Sequence, residues 1–423
     1  PSQSLSLSYS ACCLYTPPPV LYWVRGDLCI RCRGGRYLCG LTYCPLLVRQ
    51  LAAPPRAVGR DLLGSSPPSV FVGRVGYPKV RLYPSAPPQL GDTSIYEDPP
   101  RWLGLPLERF LAMRLSLYRG YVEASVEDAA DPPRLLQDVQ LLALSGRPVD
   151  VEMKFAKEPR GAYFSEYAPP MGPAAPAAGL RLAEEPKPPK PLEKAYYDTD
   201  LKARDAVVEL YQAGVEVSAV SRALAAGALG ARRRRLVPTR WAITAVDKIV
   251  SDFLVDKIKG FREVDGYYLY VRRVYNNLFL AILAPSRWAY EWGEAFEPGT
   301  TWNPGPGLAI ETDYELYRGR REYPEIGGCY YAARLAVAEA LYRMRRQAAA
   351  ALWREVYRGF ATPVGVWWVR ENVRALFREE PARFDALDDA LQAASYLLKV
   401  PMERWLSASR LVHLLKSRLA GYG

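Results

Sequence analysis

Four cysteines lie within sixteen residues near the N-terminal end, with the spacing Cys29-x2-Cys32-x6-Cys39-x4-Cys44. Two close pairs of thiolates can converge on one ion and complete a tetrahedral set of four sulfur ligands. Such a set suits zinc first and an iron–sulfur cluster second, and disulfides are the alternative in a hyperthermophilic cell. Because four protein ligands leave no open position for water, the spacing predicts a zinc knuckle whose Zn²⁺ is structural.

The net charge of +11 is concentrated in the same end of the chain. Residues 1–60 contain seven Arg and one acidic residue, and residues 61–90 add three basic residues against one acid, so residues 1–90 carry eight of the eleven net positive charges. A basic surface of this kind is typical of proteins that bind a phosphate backbone. A solubilising face that pairs with acids elsewhere in the fold is the alternative. The candidate phosphate contacts at this end are Arg31, Arg33, Arg36, Arg74 and Lys79.

Residues 69–80 predict a strand, a turn and a second strand, with Gly73-x-x-Gly76 as the turn. A Gly-x-x-Gly loop approaches phosphate in some RNA-binding modules. Pro78 is incompatible with the helix that would follow in such a module, because proline lacks the backbone donor. An ordinary β-hairpin is therefore the favoured interpretation.

Residues 200–227 show two short helical patterns around a glycine. Apolar residues recur at helical spacing from Ala203 to Tyr211, Gly214 ends the first helix, and Ser218 can cap the second. The pattern predicts a helix-turn-helix-like segment, in which Ser218, Ser221 and Arg222 would face a DNA groove. Similar helix pairs also occur in plain hydrophobic cores. The arginine run after it predicts either phosphate contacts or an exposed helix end, at Arg232, Arg233, Arg234 and Arg235.

The alternation of residues 147–155 predicts a strand with Asp150, Glu152 and Lys154 on one face. An acid-x-Lys strand preceded by a second acid is how one class of nucleases holds Mg²⁺ and activates water. The sequence therefore leaves a Mg²⁺-dependent nuclease open as an alternative function. A solvated strand face explains the same residues without catalysis.

The fold class predicted is α+β. We expect a zinc knuckle and basic segment at 1–60, a large mixed α/β region at 61–300 and a mainly helical C-terminal region at 301–423. A long helix is predicted over 328–357, followed by three shorter helices. Eight prolines in residues 169–191 predict a linker from composition alone.

The composition excludes several classes of protein. The chain has no run of roughly 18 apolar residues, and residues 2–24 lack the basic start of a signal peptide. We therefore expect a cytoplasmic protein without a membrane partner. The chain contains 8 Gln, 4 Asn and 37 Pro, a balance typical of thermophiles. The one histidine, His413, lies on an apolar helical pattern, so histidine-based catalysis is not expected.

Several longer segments resemble the archaeal Nre DNA-repair family. They occur in the same order along the chain, at 29–45, 67–80, 91–99, 147–152, 172–176 and 236–247. The segment at 236–247, for example, reads Leu-Val-Pro-Thr-Arg-Trp-Ala-Ile-Thr-Ala-Val-Asp. The resemblance implies a two-part archaeal protein linked to repair of DNA damage, with no assigned enzymatic activity. It also implies that the proline-rich segment is an ordered crossing within one large domain.

Some members of that family bind the replication sliding clamp through a C-terminal Gln-x-x-aliphatic-x-x-aromatic-aromatic peptide. This chain ends in Leu-Leu-Lys-Ser-Arg-Leu-Ala-Gly-Tyr-Gly, so we do not expect clamp binding by that route. The leading hypothesis is a zinc-stabilised nucleic-acid-binding protein of archaeal DNA repair without its own catalysis. An RNA- or ribosome-associated factor is a further alternative, because the phosphate charge is the same in both nucleic acids.

Overall fold

The computed structural model describes residues 26–34, 36–41, 44–48 and 58–420. The strands are β1 Asp61–Ser66, β2 Val70–Val72, β3 Lys79–Ala86, β4 Tyr118–Ser125, β5 Val149–Phe155, β6 Ala174–Leu182, β7 Arg262–Glu263, β8 Tyr267–Val274, β9 Asn277–Ala284, β10 Ala289–Phe296, β11 Ala309–Glu315, β12 Arg346–Gln347, β13 Ala349–Val356 and β14 Ala382–Phe384. The helices are α1 Gly26–Cys32, α2 Pro45–Val48, α3 Pro99–Trp102, α4 Leu107–Leu115, α5 Arg134–Leu144, α6 Lys190–Tyr197, α7 Ala203–Gln212, α8 Val217–Ala225, α9 Thr239–Ile258, α10 Gly328–Met344, α11 Trp367–Leu376, α12 Leu387–Leu397, α13 Met402–Ala408 and α14 Arg410–Ala420. The mixture confirms the α+β class.

Within these residues the strands form two six-stranded sheets and one short pair, β7–β12. The first sheet has the order β1-β5-β6-β4-β3-β2. Its pairs are antiparallel except β4–β6, which is parallel. In β5 the residues Val149, Val151 and Met153 are buried and alternate with polar ones, as the sequence predicts. The predicted hairpin is also confirmed, because β2 and β3 pair in antiparallel register.

The second sheet has the order β11-β10-β13-β9-β8-β14 and is buried on both faces. Along β9, Phe279, Ala281 and Leu283 join a core that also contains α9, α10 and α11. The alternate residues of β9 pack into a second core with α12, α13 and α14. This burial on both faces explains why β9 and β10 are buried along their whole length.

The predicted long helix over 328–357 is wrong in its second half. Helix α10 ends at Met344, and Arg345 follows in the left-handed conformation with φ of 54°. Residues 349–356 then form β13, which lies between β9 and β10 in the centre of the second sheet. Its alanines favour a helix locally, but sheet pairing and burial override that preference.

The proline-rich segment is not a linker. Residues 174–182 form β6, which lies between β4 and β5 within the first sheet. Pro176 lies within this strand and its carbonyl accepts from the Ala156 amide at 2.9 Å, and the other prolines of the segment lie before or after the strand. The composition-based prediction is therefore wrong, and the ordered crossing that the family resemblance implies is present.

The helix-turn-helix-like pair is present as α7 and α8, joined through Gly214 at φ of 80°. Helix α8, which would be the recognition helix, packs against α5, α7, α9 and β2. Ser221 is buried and its Oγ donates to the Val217 carbonyl. The apolar residues around α8 therefore place it inside the core, without a face for a DNA groove.

No helix in the described part of the chain is long and apolar enough to cross a membrane.

Candidate nucleic-acid interface

The cysteine segment folds as a short helix, a turn and a second short helix. Cys29 and Cys32 lie on α1, Cys39 lies in the turn, and Cys44 immediately precedes α2. Gly34 has a φ of 67°, and a Cβ there would lie 2.8 Å from Leu47 Cδ1, so this position requires glycine. Cys32, Cys39 and Cys44 are free thiols.

The thiols of Cys32 and Cys39 are close enough to that of Cys44 to affect its pKa. Burial raises the pKa of Cys44, and Cys32 and Cys39 add to that shift. A set of four thiols is chemically suited to zinc. Among the described residues, however, no three His, Cys, Asp or Glu side chains have the arrangement of a metal site. The donor chemistry therefore fits zinc, whereas the described side chains are not arranged as a metal site.

Arg33, a predicted phosphate contact, is instead a buried structural residue. Its side chain is 2% exposed, and Nη1 lies 2.6 Å from Glu294 Oε2 on β10 and 3.5 Å from Glu166 Oε1. Burial alone would lower the pKa of Arg33, but Glu294 and Glu166 hold it above its ordinary value. Arg354 of β13 also pairs with Glu294, at 2.8 Å. This buried network fixes the cysteine segment to the second sheet.

Arg31 and Arg36 also contact residues outside the cysteine segment. Arg31 is half exposed and lies 3.2 Å from Glu325 Oε2. Arg36 Nη2 donates to the Glu325 carbonyl at 2.6 Å. The three arginines of the cysteine segment therefore attach it to the rest of the fold, and the structure does not group them on one outward surface.

A pocket of about 580 Å³ lies where the cysteine segment, the β2–β3 hairpin, residues 163–167 and α9 meet; we call it the aromatic–basic cleft. Its lining cations are Arg33, Arg74, Lys79, Arg81, Arg119 and Arg240. Its lining aromatic residues are Tyr37, Phe71, Tyr83, Tyr163, Phe164 and Tyr167. Two acids, Glu123 and Glu166, also line it. Arg81 is engaged with Glu123 at 2.9 Å.

Arg119 forms part of the wall of this cleft from β4. It is 5% exposed, and its guanidinium lies over the rings of Tyr83 and Tyr163 at 5.1 and 5.7 Å. Its Nε donates to the Gly172 carbonyl, and no described carboxylate is among the groups that act on its charge. Burial lowers the pKa of Arg119 to about 10. A buried cation between aromatic rings and without a carboxylate partner is a suitable contact for an incoming anion.

The rim of the cleft carries further cations beside aromatic rings. Arg74, in the Gly73-x-x-Gly76 turn, lies over Tyr37 at 5.7 Å. Arg240, in the first turn of α9, lies over Tyr167 at 4.1 Å. Lys79 is exposed at the start of β3. The hairpin that the sequence predicts thus contributes Arg74 and Lys79 to one site.

Glu166 lies at the inner end of the cleft, between the cleft and the Arg33 network. Burial raises the pKa of Glu166 to about 7, and Arg33 and Arg240 oppose that shift. Its Oε1 lacks a hydrogen-bond donor among the described residues. Close to neutral pH this carboxyl therefore exchanges between its neutral and charged forms.

Two family models together match most of the chain. The model for "Archaeal Nre, N-terminal" matches residues 38–303, and the model for "Archaeal Nre, C-terminal" matches residues 315–422. The chain belongs to the archaeal Nre family. This confirms the resemblance found in the sequence. The second sheet of this Nre chain takes strands from both matched regions, since β9 and β10 pair with β13 and β8 pairs with β14.

Full-length relatives support the same assignment. The chain is 48% identical to DNA repair protein NreB of Archaeoglobus fulgidus, over 91% of this chain and 96% of that protein. It is 38% identical to DNA repair protein NreA of the same organism, over 87% and 93%. It is 37% identical to DNA repair protein NreA of Haloferax volcanii, over 81% and 84%. No solved structure matches the chain.

The remaining predicted contacts of this Nre chain lie outside the cleft. Arg222 is 12% exposed and lies 3.9 Å from Glu97. In the arginine run, Arg234 donates to the carbonyls of Tyr196 and Asp198 and so fixes the loop, and Arg235 pairs with Glu127 at 3.3 Å. Arg232 and Arg233 are exposed.

The three residues of the nuclease alternative share the outer face of β5. The Ser65 Oγ donates to Asp150, Glu152 lies 3.7 Å from Arg181, and Lys154 is exposed. They lie among the described residues, where no acid cluster suited to a metal ion occurs. The arrangement is that of a solvated strand face.

The sequence reasoning did not identify Arg119, Tyr163 or Glu166 as site residues. One signal for the cleft was available, because Lys79, Arg81 and Tyr83 alternate with buried residues along β3 and therefore share a face. The rest come from β4, from the 163–167 segment and from α9, which approach only in the folded chain.

Proposed function

We propose that this protein acts in DNA repair by binding an unpaired strand of DNA in the aromatic–basic cleft, without catalysing a reaction itself. The names of its relatives support the process, since each is a DNA repair protein. The observation that carries the mode of binding is Arg119, a buried cation flanked by Tyr83 and Tyr163. Proteins that bind single strands combine such cations with aromatic rings on which bases stack.

An unpaired strand fits the cleft better than a duplex. The volume of about 580 Å³ lies within the range of roughly 300–1,000 Å³ typical of small-ligand pockets. A base can stack on a tyrosine ring only when it has left its own stack. Phosphates of the same strand would then contact Arg74, Lys79 and Arg240 near the rim.

We further propose that the four cysteines hold a structural zinc ion in solution. Their chemistry fits zinc, and the thiols of Cys32 and Cys39 lie close enough to Cys44 to raise its pKa. Zinc would hold the segment that carries Tyr37, one of the cleft aromatics. In this proposal the knuckle supports the binding surface and the cleft residues bind the strand.

Fluorescence anisotropy with labelled single-stranded DNA, duplex DNA and single-stranded RNA tests the binding mode. If the four cleft cations Arg74, Lys79, Arg119 and Arg240 each neutralise one phosphate, the logarithm of Kd rises with the logarithm of salt concentration with a slope of about 3. Arg119→Gln and Lys79→Gln should each reduce that slope by about 0.7. Arg404→Gln, which removes an exposed arginine on α13 outside the cleft, is the matched control and leaves the slope unchanged.

Duplex DNA bound as tightly as the single strand would contradict the proposal, as would equal slopes for Arg119→Gln and Arg404→Gln. Tighter binding of RNA than of DNA would favour the RNA-associated alternative.

Metal analysis of the purified protein tests the zinc proposal. We expect one zinc per chain, its loss in Cys39→Ser and its retention in Cys329→Ser, a cysteine outside the knuckle. Iron with the visible absorbance of a cluster, or no metal at all, would contradict the proposal.

A further inference from the structure

A second, smaller pocket of about 80 Å³ adjoins the aromatic–basic cleft. Phe71 and Tyr167 line both, so these two rings form the partition between them. The smaller pocket has the volume share of roughly two or three water molecules. It can therefore hold a small ion such as a four-oxygen anion but not a nucleobase. We call it the helix-terminus pocket.

Three helices begin at this pocket. Ser218 is the second residue of α8, Thr239 is the first of α9 and Trp367 is the first of α11, and all three line it. The helices have 9, 20 and 10 residues. The first turn of a helix has backbone N–H groups without intrahelical acceptors and a partial positive charge. Three such ends around one small space make it electropositive before any side chain is considered.

Three arginines, Arg114, Arg222 and Arg370, add formal charge to the same pocket. Glu97 also lines the pocket. Its carboxylate is largely occupied, because Oε1 lies 2.8 Å from Arg114 Nη1 and accepts from Ser69 Oγ at 2.6 Å. Arg222 lies 3.9 Å from the other oxygen of Glu97, too far for a hydrogen bond. Burial lowers the pKa of Arg222, as expected for a guanidinium without a close counter-ion.

Arg370 supplies independent evidence for an anion site, because one of its buried donors lacks a described acceptor. It is 4% exposed and pairs through Nη2 with Asp247 at 2.7 Å. Its buried Nε has no hydrogen-bond partner among the described residues, although buried donors are nearly always satisfied. The Oδ1 of Asp247 also lacks a partner, but Asp247 does not line the pocket. Arg114 and Arg370 each have a carboxylate oxygen within 3 Å, whereas Arg222 does not.

We propose that the helix-terminus pocket binds a phosphate group, held by Arg222, Arg370 and the first turns of α8, α9 and α11. Helix N-termini and guanidinium groups are the donors that recognise phosphate oxygens in proteins. The remaining walls include Trp102, Ile243 and Trp367. These apolar side chains keep bulk water away and so strengthen the attraction between the pocket and an anion.

The phosphate has two sources, free inorganic phosphate or the terminal phosphate of a DNA strand. The second source is favoured by the shared partition, because a strand in the cleft could pass its end between Phe71 and Tyr167. That choice rests on the function proposed above, whereas binding of inorganic phosphate does not.

Isothermal titration calorimetry with inorganic phosphate, against chloride at equal ionic strength, tests the pocket directly. We expect phosphate to bind the wild type, with Kd at least tenfold weaker in Arg222→Gln. Ser218→Asp provides a variant that folds, because an acid in the first turn of a helix is favourable. Its carboxylate should occupy the electropositive space and abolish phosphate binding while preserving or raising thermal stability. Arg404→Gln is the control and keeps the wild-type Kd.

Equal responses to phosphate and chloride would overturn the proposal, as would full phosphate binding by both Arg222→Gln and Ser218→Asp.

Competition between inorganic phosphate and oligonucleotides then identifies the source of the phosphate. Oligonucleotides with a 5′-phosphate, a 3′-phosphate or neither are added to the phosphate-loaded protein, and displacement only by a terminally phosphorylated strand assigns the pocket to DNA ends. If inorganic phosphate binds but no oligonucleotide does, the proposal for the cleft is wrong and the proposal for the helix-terminus pocket is retained. If oligonucleotides bind without phosphate binding, the pocket proposal fails alone.

Discussion

Replacement of Glu166 by glutamine should change how the stability of the protein depends on pH. Glu166 is buried at the inner end of the cleft, with Oε1 3.5 Å from Arg33 Nη1. Its pKa rises from 4.5 to about 7 in the folded chain, chiefly because burial disfavours the charged form. Glutamine has the same shape and remains neutral at every pH.

The sign of the effect follows from proton binding. Between about pH 4.5 and pH 7 the folded chain holds the Glu166 proton more tightly than the unfolded chain, so stability falls as pH rises through that window. A pKa difference of this size corresponds to a loss of about 3 kcal/mol by the time the carboxyl is ionised in both states. Glu166→Gln avoids this loss. Relative to the wild type, it should be close in stability near pH 4.5 and more stable by up to about 3 kcal/mol above pH 8.

Urea denaturation of both proteins from about pH 4.5 to pH 8.5 measures the difference directly, because all other titrating groups are shared. Glu123→Gln, which changes an exposed acid of the same cleft, should give a curve parallel to that of the wild type. A stability difference between Glu166→Gln and the wild type that stays constant with pH would refute the reasoning. A difference that grows more unfavourable to the variant above neutrality would also refute it.

Three further changes test other parts of the structure. Arg33→Met removes one partner of a buried pair and should lower the free energy of unfolding by about 3 kcal/mol; a loss under about 1 kcal/mol in urea denaturation would contradict the network. Gly172→Ala places a Cβ 2.2 Å from the Leu115 carbonyl oxygen and should cost about 3 kcal/mol, whereas Gly179→Ala in β6, with open space around its Cβ, should cost under about 1 kcal/mol in the same assay. Labelled DNA incubated with Mg²⁺ or Mn²⁺ should remain intact, and cleavage that Glu152→Ala abolishes would restore the nuclease alternative.

Local patterns were sufficient to predict much of the secondary structure. Strand β5 follows from the alternation of buried and polar residues, and the β2–β3 hairpin follows from its glycines. The α7–α8 pair follows from helical spacing around Gly214. In each case the residues that determine the element lie within the element or beside it.

Elements determined by distant partners were not predictable in the same way. Residues 349–356 have a helical composition, but they form a strand because β9 and β10 accept their backbone on both sides. Residues 174–182 have a linker's composition, yet they pair with β4 and β5. Propensity measures the preference of an isolated segment, and pairing at the centre of a sheet outweighs it.

The candidate site also combines residues that local sequence indicates with residues that depend on distant partners. Two of the contacts predicted from the basic N-terminal end, Arg74 and Lys79, line the cleft, and their binding of phosphate stays a prediction. Charge counting could not show that Arg33 pairs with an acid 261 residues further along the chain. Nor could it show that Arg119 lacks such a partner, because the arrangement of acids around a cation exists only after folding.

The order of strands in the second sheet constrains how the chain can fold during synthesis. Strands β9 and β10 follow one another closely in sequence, but β13 lies between them. When β10 leaves the ribosome, the residues of β13 have still to be translated. Until then the facing edges of β9 and β10 have no strand between them. Release of a polypeptide that stops before residue 349 would therefore leave a sheet with an open centre, prone to aggregate. For this fold, translation must reach β13 before the second half of the protein can close.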